Sequence, residues 1–372
     1  MKILTLSNYF PEHMGGIEFV AMNLVKHWRA RHQVSWMACD VKEHPHDSAA
    51  DDIALPAFNF TENNLGFPYP IPWGKSLLEI FKHVKNSDVV HIHDCLYLAN
   101  LLVFLASRWY RKPLMVTQHV ALVPYREAYK NAVQKAAYHI IGRLVLERAE
   151  SVVFISQRVK RWFEQYIKFH QQPLLIPNGV DREIFHPPEV GERVLIRDQL
   201  GFSPDHVVLL FVGRFAQKKG LGLIREIARA RPGFRWLLIG RDELDPRTWN
   251  LPNVQVIPPQ PQARLRQYYL AADLFILPSV GEGFPLAMQE CLSCGLPAAV
   301  SSEIAEFVPD APMIKIDERS LQLVLQTLDE LFTRRESLDS LREAAAEYAR
   351  RWDWANVASQ YEDVFAELAP IR

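Results

Sequence analysis

Short apolar runs alternate along the chain with longer amphipathic stretches. Met1 to Leu6, Gln33 to Cys39, Asp88 to His93, Pro113 to Gln118 and Ser151 to Ser156 read as strands, each bounded by turn or polar residues. Ile17 to His27 reads as a helix that follows a Gly-Gly turn. The same pattern resumes with Val207 to Val212, Phe234 to Ile239, Val254 to Ile257, Leu274 to Pro278 and Ala298 to Ser301. Apolar strands separated by helices point to parallel sheets covered on both faces. Their recurrence predicts two doubly wound halves, with about six strands in the first and about five in the second. The boundary is expected between Asp181 and Asp205, where Pro187-Pro188 stops regular structure. Residues 1–185 and 186–350 are therefore the expected domains. A last amphipathic segment, Leu341 to Leu368, reads as a helix or helix pair with no strand after it, so 351–372 must dock on one domain or bridge both.

Composition narrows the class. The 372 residues are 49% hydrophobic and 23% charged, which is ordinary globular usage. Lys and Arg (42) balance Asp and Glu (43), which excludes a bulk polycation built for nucleic acid. Four cysteines are too few for a disulfide scaffold. The first apolar stretch, Ile3 to Leu6, is too short for a signal peptide, and the longest, near Leu101 to Ala106, falls well short of the roughly 20 residues a bilayer requires. No lipidation box stands at either end, and a cytoplasmic protein is expected. Charge is unevenly spread: residues 100–170 hold 12 basic and 4 acidic side chains. With Trp109, Tyr110, Tyr125, Tyr129, Tyr138 and Trp162 interleaved, that stretch suits an anionic membrane surface. It reads equally well as solvated helix faces.

Four segments carry candidate chemistry. Pro278 to Glu290 (PSVGEGFPLAMQE) follows the apolar run LFIL, so it sits at the carboxyl end of a strand, where open α/β sheets bind ligands. Gly281 and Gly283 allow close backbone approach, and Pro285 suits the first turn of a helix. Free amides around Phe284 to Leu286 would meet an anion there. Glu282 and Glu290 flank that site, and carboxylates so placed suit sugar hydroxyls rather than phosphate. Phe211 to Gly220 (FVGRFAQKKG) again follows a strand. Gly213 opens a turn, and Arg214 and Lys219 are spaced so that both heads could converge on a diphosphate. Pro11 to Glu18 is a glycine turn opening a helix, without the G-x-G-x-x-G fingerprint of dinucleotide enzymes. Val116 to His119 places a histidine at a strand end, where a structural role is the plainer reading.

Other features carry less. Cys291-x-x-Cys294 has no second pair and reads as helix packing rather than zinc. His91-Ile92-His93-Asp94 could hold a metal but reads better as polar residues at a strand edge. There is no Asp-x-Asp pair and no G-x-S-x-G elbow.

Taken together, Glu282-x7-Glu290, Gly213-Arg214…Lys219-Gly220, DVVHIHD at Asp88 to Asp94, VTQH at Val116 to His119 and PNGVD at Pro177 to Asp181 resemble the retaining glycosyltransferases of family 4, over essentially the whole chain. The resemblance implies the GT-B fold, two facing Rossmann-like doubly wound parallel-sheet domains. The N-terminal one would take the acceptor and the C-terminal one a sugar nucleotide, with the final helix around Trp352 and Trp354 packing back on the N-terminal domain. It assigns Arg214 and Lys219 to the donor diphosphate, approached by Gly16 and cradled by Gly213 and by amides of Phe284, Pro285 and Leu286. Glu282 would bind the transferred sugar, Glu290 the ribose, and His119 would face the sugar near the reacting carbon. Gly15 and His13 fall on the acceptor side. No metal or other cofactor is expected. Retention without a protein nucleophile implies front-face attack, with the leaving phosphate helping to take the acceptor proton.

Three departures stand out: Ser301 to Glu306 lacks the family's Gly-Gly turn, Arg241 to Leu244 replaces Gly-x-Gly-Pro, and Pro258-Pro259 replaces a glycine. The last two leave the base, UDP or GDP, unassigned. The expected function is sugar transfer from a UDP- or GDP-sugar to a glycan or lipid-linked saccharide, in surface polysaccharide or glycolipid assembly, by a cytoplasmic enzyme that is peripheral on the inner face of the membrane. A soluble transferase with a small acceptor, a sugar-nucleotide epimerase on the same fold and a non-enzymatic nucleotide-sugar binder are the alternatives.

Overall fold

The computed structural model describes residues 1–13, 15–41, 51–60, 69–122, 127–280, 282, 284–306, 308–334 and 336–370. Gly281, Gly283 and Tyr125, singled out above, lie outside them, as does Arg126, one of the 12 basic residues of the 100–170 stretch. The chain divides into two compact units, Met1–Asn178 with Trp354–Arg372, and Gly179–Asp353.

In the first unit, β1 (Lys2–Tyr9), β2 (Gln33–Asp40), β3 (Asp52–Phe58), β4 (Ile71–Pro72), β5 (Val89–His93), β6 (Leu114–Gln118), β7 (Ser151–Phe154) and β8 (Leu174–Leu175) form one sheet. Its order is β4-β3-β2-β1-β5-β6-β7-β8, parallel except for β3 against β4. The second unit has β9 (Val207–Val212), β10 (Phe234–Ile239), β11 (Val254–Ile257), β12 (Leu274–Leu277), β13 (Ala298–Ser301) and β14 (Ile314–Ile316), all parallel in the order β11-β10-β9-β12-β13-β14. Each sheet reverses its strand order once, between β1 and β5 and between β9 and β12. Ligands of doubly wound sheets bind outside the carboxyl ends of the strands at such a reversal.

The predicted strands are present, and four more were not anticipated. β4 and β8 have two residues each and β14 three, too short for periodicity to register. In β3, Asp52 and Pro56 break the apolar run. The domain limits also shift. Val180 donates its amide to the Trp352 carbonyl at 2.7 Å and bridges Asp353, so the chain already belongs to the second unit at Gly179 rather than at 186. Phe185, fully buried against Tyr269, lies within that unit, so Pro187-Pro188 marks a loop and not a linker. The chain returns to the first unit at Trp354 rather than at 351.

The terminal segment is a helix pair, Glu336–Ala349 and Trp354–Leu368, split between the units. On one face of the first sheet, Trp354, Val357, Tyr361 and Phe365 share a core with Val20, Leu24 and Trp28 of the Gly16–Trp28 helix. Trp28 is fully buried, its ring 5.0 Å from Phe365, and its Nε1 donates to the Ala358 carbonyl at 3.2 Å. Trp28→Ala is expected to cost roughly 3–5 kcal/mol in urea unfolding, because the vacated volume cannot collapse around a fixed sheet.

Candidate functional site

The switch point of the second unit is built by two loops tied together. Gly220, at φ +77°, caps the start of the Leu221–Ala230 helix, and a Cβ there would stand 2.6 Å from both the Pro278 carbonyl oxygen and its ring. Only glycine lets the loop after β9 lie against the loop after β12. The Val280 amide then donates to the Lys218 carbonyl at 2.9 Å, next to Lys219. Lys219 Nζ lies 2.6 Å from Glu282 Oε1, with the two side chains 15% and 11% exposed, so water screens this pair weakly.

Beyond Glu282, Pro285 has extended φ/ψ and the helix starts at Leu286. Pro285 is thus the cap rather than the first helical residue, and it has no amide to offer. Its carbonyl accepts from Met288 at 3.2 Å. The orphan donors of this helix start are therefore those of Leu286 and Ala287, which moves the expected cradle one residue on. Phe284 is buried edge-on to Trp352, 5.6 Å between ring centres, and anchors the loop by packing.

Arg214 does not join Lys219. Its Nε sits 2.5 Å from Asp242 Oδ2, and its side chain is 71% exposed. The expected convergence is replaced by two separate ion pairs at the ends of different strands. Asp242 has φ +155°, and Gly240 beside it has φ +157° with no room for a side chain: a Cβ would lie 1.9 Å from the Gly213 carbonyl oxygen.

Glu290 accepts a hydrogen bond from Tyr269 Oη at 2.7 Å, and burial raises its carboxyl to about 7. The folded chain keeps a proton that the unfolded chain loses above about 4.5, so this stabilisation is complete in acid and disappears as pH rises through 7. Glu290→Gln keeps an acceptor for Tyr269. Its stability is expected to match the parent at pH 4 and exceed it at pH 8, by on the order of 1–3 kcal/mol in unfolding free energy.

In the first unit, the turn after β1 places Gly15 at the cap of the Gly16–Trp28 helix. Glu18 folds back over it, so a Cβ on Gly15 would meet Glu18 Oε2 at 1.9 Å. A Cβ on Gly16 would meet nothing within 4 Å, so packing does not require that glycine. His13 stacks on Tyr9 with 3.9 Å between ring centres. His119, just past β6, is buried and paired with His93: its Nε2 lies 2.9 Å from His93 Nδ1. Burial lowers His119 to about 3 and raises Asp94 to about 7. Asp94 Oδ1 accepts the His119 amide at 3.0 Å.

Two family models match the chain, Glycosyltransferase Family 4 over residues 14–184 and Glycosyl transferases group 1 over residues 206–332. The chain belongs to glycosyltransferase family 4. A D-inositol 3-phosphate glycosyltransferase of Segniliparus rotundus is 29% identical to this transferase over 313 residues, 76% of this chain and 68% of that one. Sucrose-phosphate synthase of Thermosynechococcus elongatus superposes with a TM-score of 0.77 at 19% identity, covering 99% of both chains. Anabaena HepE in complex with UDP gives 0.78 at 17% identity, over 99% of this chain and 100% of that one. The fold is GT-B, as the sequence led us to expect.

Several partners of the glycosyltransferase's candidate residues carried no sequence signal of their own. Tyr269 lies outside every motif, and Asp242 falls in a stretch read only as a departure from the family's Gly-x-Gly-Pro; they meet Glu290 and Arg214 only through the fold. His93 and Asp94 read from the sequence as strand-edge residues, yet they hold the ring and the backbone of His119. Glu18, three residues after Gly15, has the spacing of a capping-box acid and could have been read from the sequence. Among the described residues, no group of three or more His, Cys, Asp or Glu is arranged to hold a metal ion.

Proposed function

We propose that this glycosyltransferase takes a nucleoside-diphosphate sugar on the second unit and transfers the sugar with retention to a lipid-linked saccharide. The Lys219–Glu282 pair, fixed by the fit of Gly220 against Pro278 and followed by the Leu286–Ser293 helix start, is the observation that carries this reading. Lys219 and the Leu286 and Ala287 amides supply positive potential to the diphosphate, and their effect grows as the bond to the leaving group breaks. Arg214 adds an exposed fork at the rim. Glu282 accepts from a sugar hydroxyl while holding Lys219, and Glu290, raised to about 7 by burial, bonds the ribose diol. In the first unit, the space beside Gly16, where a Cβ would meet nothing within 4 Å, suits close approach by a ligand, and His119 is the side chain we assign to a sugar oxygen, on the family resemblance alone. HepE, with UDP and, in a further structure, UDP-glucose bound, supports UDP as the nucleotide. The proposed diphosphate site works without a metal, so activity should survive EDTA.

For the acceptor, the supporting feature is the outer face of the helical stretch from Ala128 to Leu146. Tyr129, Val133, Ile140 and Leu144 recur there at helical spacing and are exposed at 62%, 59%, 71% and 36%, beside Lys135, Arg143 and Arg148. A buried helix face does not leave such a row in water, whereas an interfacial helix does. No described helix is long and apolar enough to cross a membrane. Flotation with vesicles containing anionic lipid is expected to retain the protein at low salt. Ile140→Glu should release it, and binding indifferent to both salt and Ile140→Glu would contradict the membrane reading.

Incubation with a panel of UDP- and GDP-sugars, followed by mass and anomeric analysis of products, tests the whole reading. Sugar appearing on a lipid-linked acceptor with the donor's anomeric configuration supports it. Conversion of the donor to an isomer without any acceptor would replace it by epimerisation.

A further inference from the structure

His93 and His119 are the one pair of imidazoles joined nitrogen to nitrogen among the described residues. A neutral imidazole has one donor nitrogen and one acceptor, so a single proton position decides both rings. Burial holds both rings neutral, with His93 well below its ordinary value. His93 Nε2 is fully buried and makes no hydrogen bond among the described residues. A proton on that atom would be an orphan donor in the core, at a cost of about 1–3 kcal/mol. With the proton on His93 Nδ1, only a bare lone pair stays unpaired, and Nδ1–H donates to His119 Nε2. The proton of His119 is then on its own Nδ1, which has no hydrogen-bond partner among the described residues.

We propose that His93 is a positioning residue that fixes His119 as its Nδ1–H tautomer, so that His119 presents a neutral N–H donor to an oxygen of the bound sugar. This rests on the proposed place of His119 at the sugar. The surroundings hold both rings in register. Asn100 Nδ2 donates to the carbonyls of His93 and Asp94, at 2.6 and 2.5 Å. Asp94, in the left-handed region at φ +64°, takes the His119 amide. His91 does not compete for His93, because its two nitrogens are engaged by Thr5 and Thr117 at 2.9 and 2.8 Å. A neutral donor polarises a sugar oxygen without putting a full positive charge beside a carbon that itself becomes positive as the leaving group departs.

Long-range proton–nitrogen NMR of the full-length, histidine-labelled protein reads the tautomer directly, with His119→Gln identifying the signals. The expected spectrum shows the His119 proton on Nδ1 in the parent. His93→Asn, whose amide nitrogen stands near the lost Nδ1, should keep that tautomer. His93→Leu should release it and lower kcat roughly 10-fold, with donor KM little changed and His93→Asn recovering most of the loss. A proton on His119 Nε2 in the parent, or an unchanged tautomer in His93→Leu, overturns the proposal. His119→Ala with full activity would instead overturn the role of His119 at the sugar while leaving the tautomer result standing.

Discussion

Gly220→Ala is expected to lose about 3 kcal/mol of stability, in line with a strained backbone combined with a steric clash. Its transfer activity should fall by roughly 100-fold or more, on the scale of losing one charge-stabilising donor. Two independent costs coincide at this residue. Its φ of +77° is disfavoured for any residue with a side chain, and the added Cβ would stand 2.6 Å from the Pro278 carbonyl oxygen. That oxygen belongs to backbone at the end of β12 and cannot swing away. The relief available is for the two loops to separate, which breaks the Val280–Lys218 bond and withdraws Lys219 from Glu282. Urea unfolding and a transfer assay below the melting temperature separate the effects: activity should be lost even where the variant is fully folded. Gly222→Ala, two residues on in the same helix with nothing within 4 Å of its Cβ, should change neither by much.

Lys219→Met is the second large effect. Removing one preorganised charge from the leaving-group side costs kcat about 10²–10³-fold in comparable sites. The single substitution also removes a cation from beside Glu282, 11% exposed, so part of the loss reflects repulsion of the donor by that carboxylate. A double-mutant cycle with Glu282→Gln divides the two contributions. If Glu282 also binds the sugar, Glu282→Gln alone should lower kcat, and the double variant should be less impaired than the product of the two single losses. Strict additivity would mean that the pair seen in the structure has no part in catalysis.

Much of this site was legible in the sequence because it sits at strand ends. The runs VVLLFV and LFIL announce β9 and β12, and the loop leaving a buried parallel strand lies by topology on the ligand edge. Glycines mark the turns, so the two loops and their charged residues could be named before their geometry was known. How the charges pair could not be read. Spacing suggested that Arg214 and Lys219 would meet, yet each found a carboxylate brought in from another strand end, 28 residues away for Arg214. The Glu290–Tyr269 bond and the His93–His119 contact likewise join positions separated by a whole βα unit. The Pro187-Pro188 signal misled because a proline pair reports where regular structure stops, not which core the flanking chain joins. Phe185, buried against Tyr269, decides that.

Calorimetric titration of the full-length protein with UDP and with GDP, in EDTA, addresses the donor site most directly. One of the two nucleotides is expected to bind, and Lys219→Met should weaken it by at least roughly 10-fold, the scale of a lost charge-assisted bond to phosphate. Binding of neither nucleotide, or equal binding by the parent and Lys219→Met, would contradict a nucleoside-diphosphate site at the β9–β12 switch point.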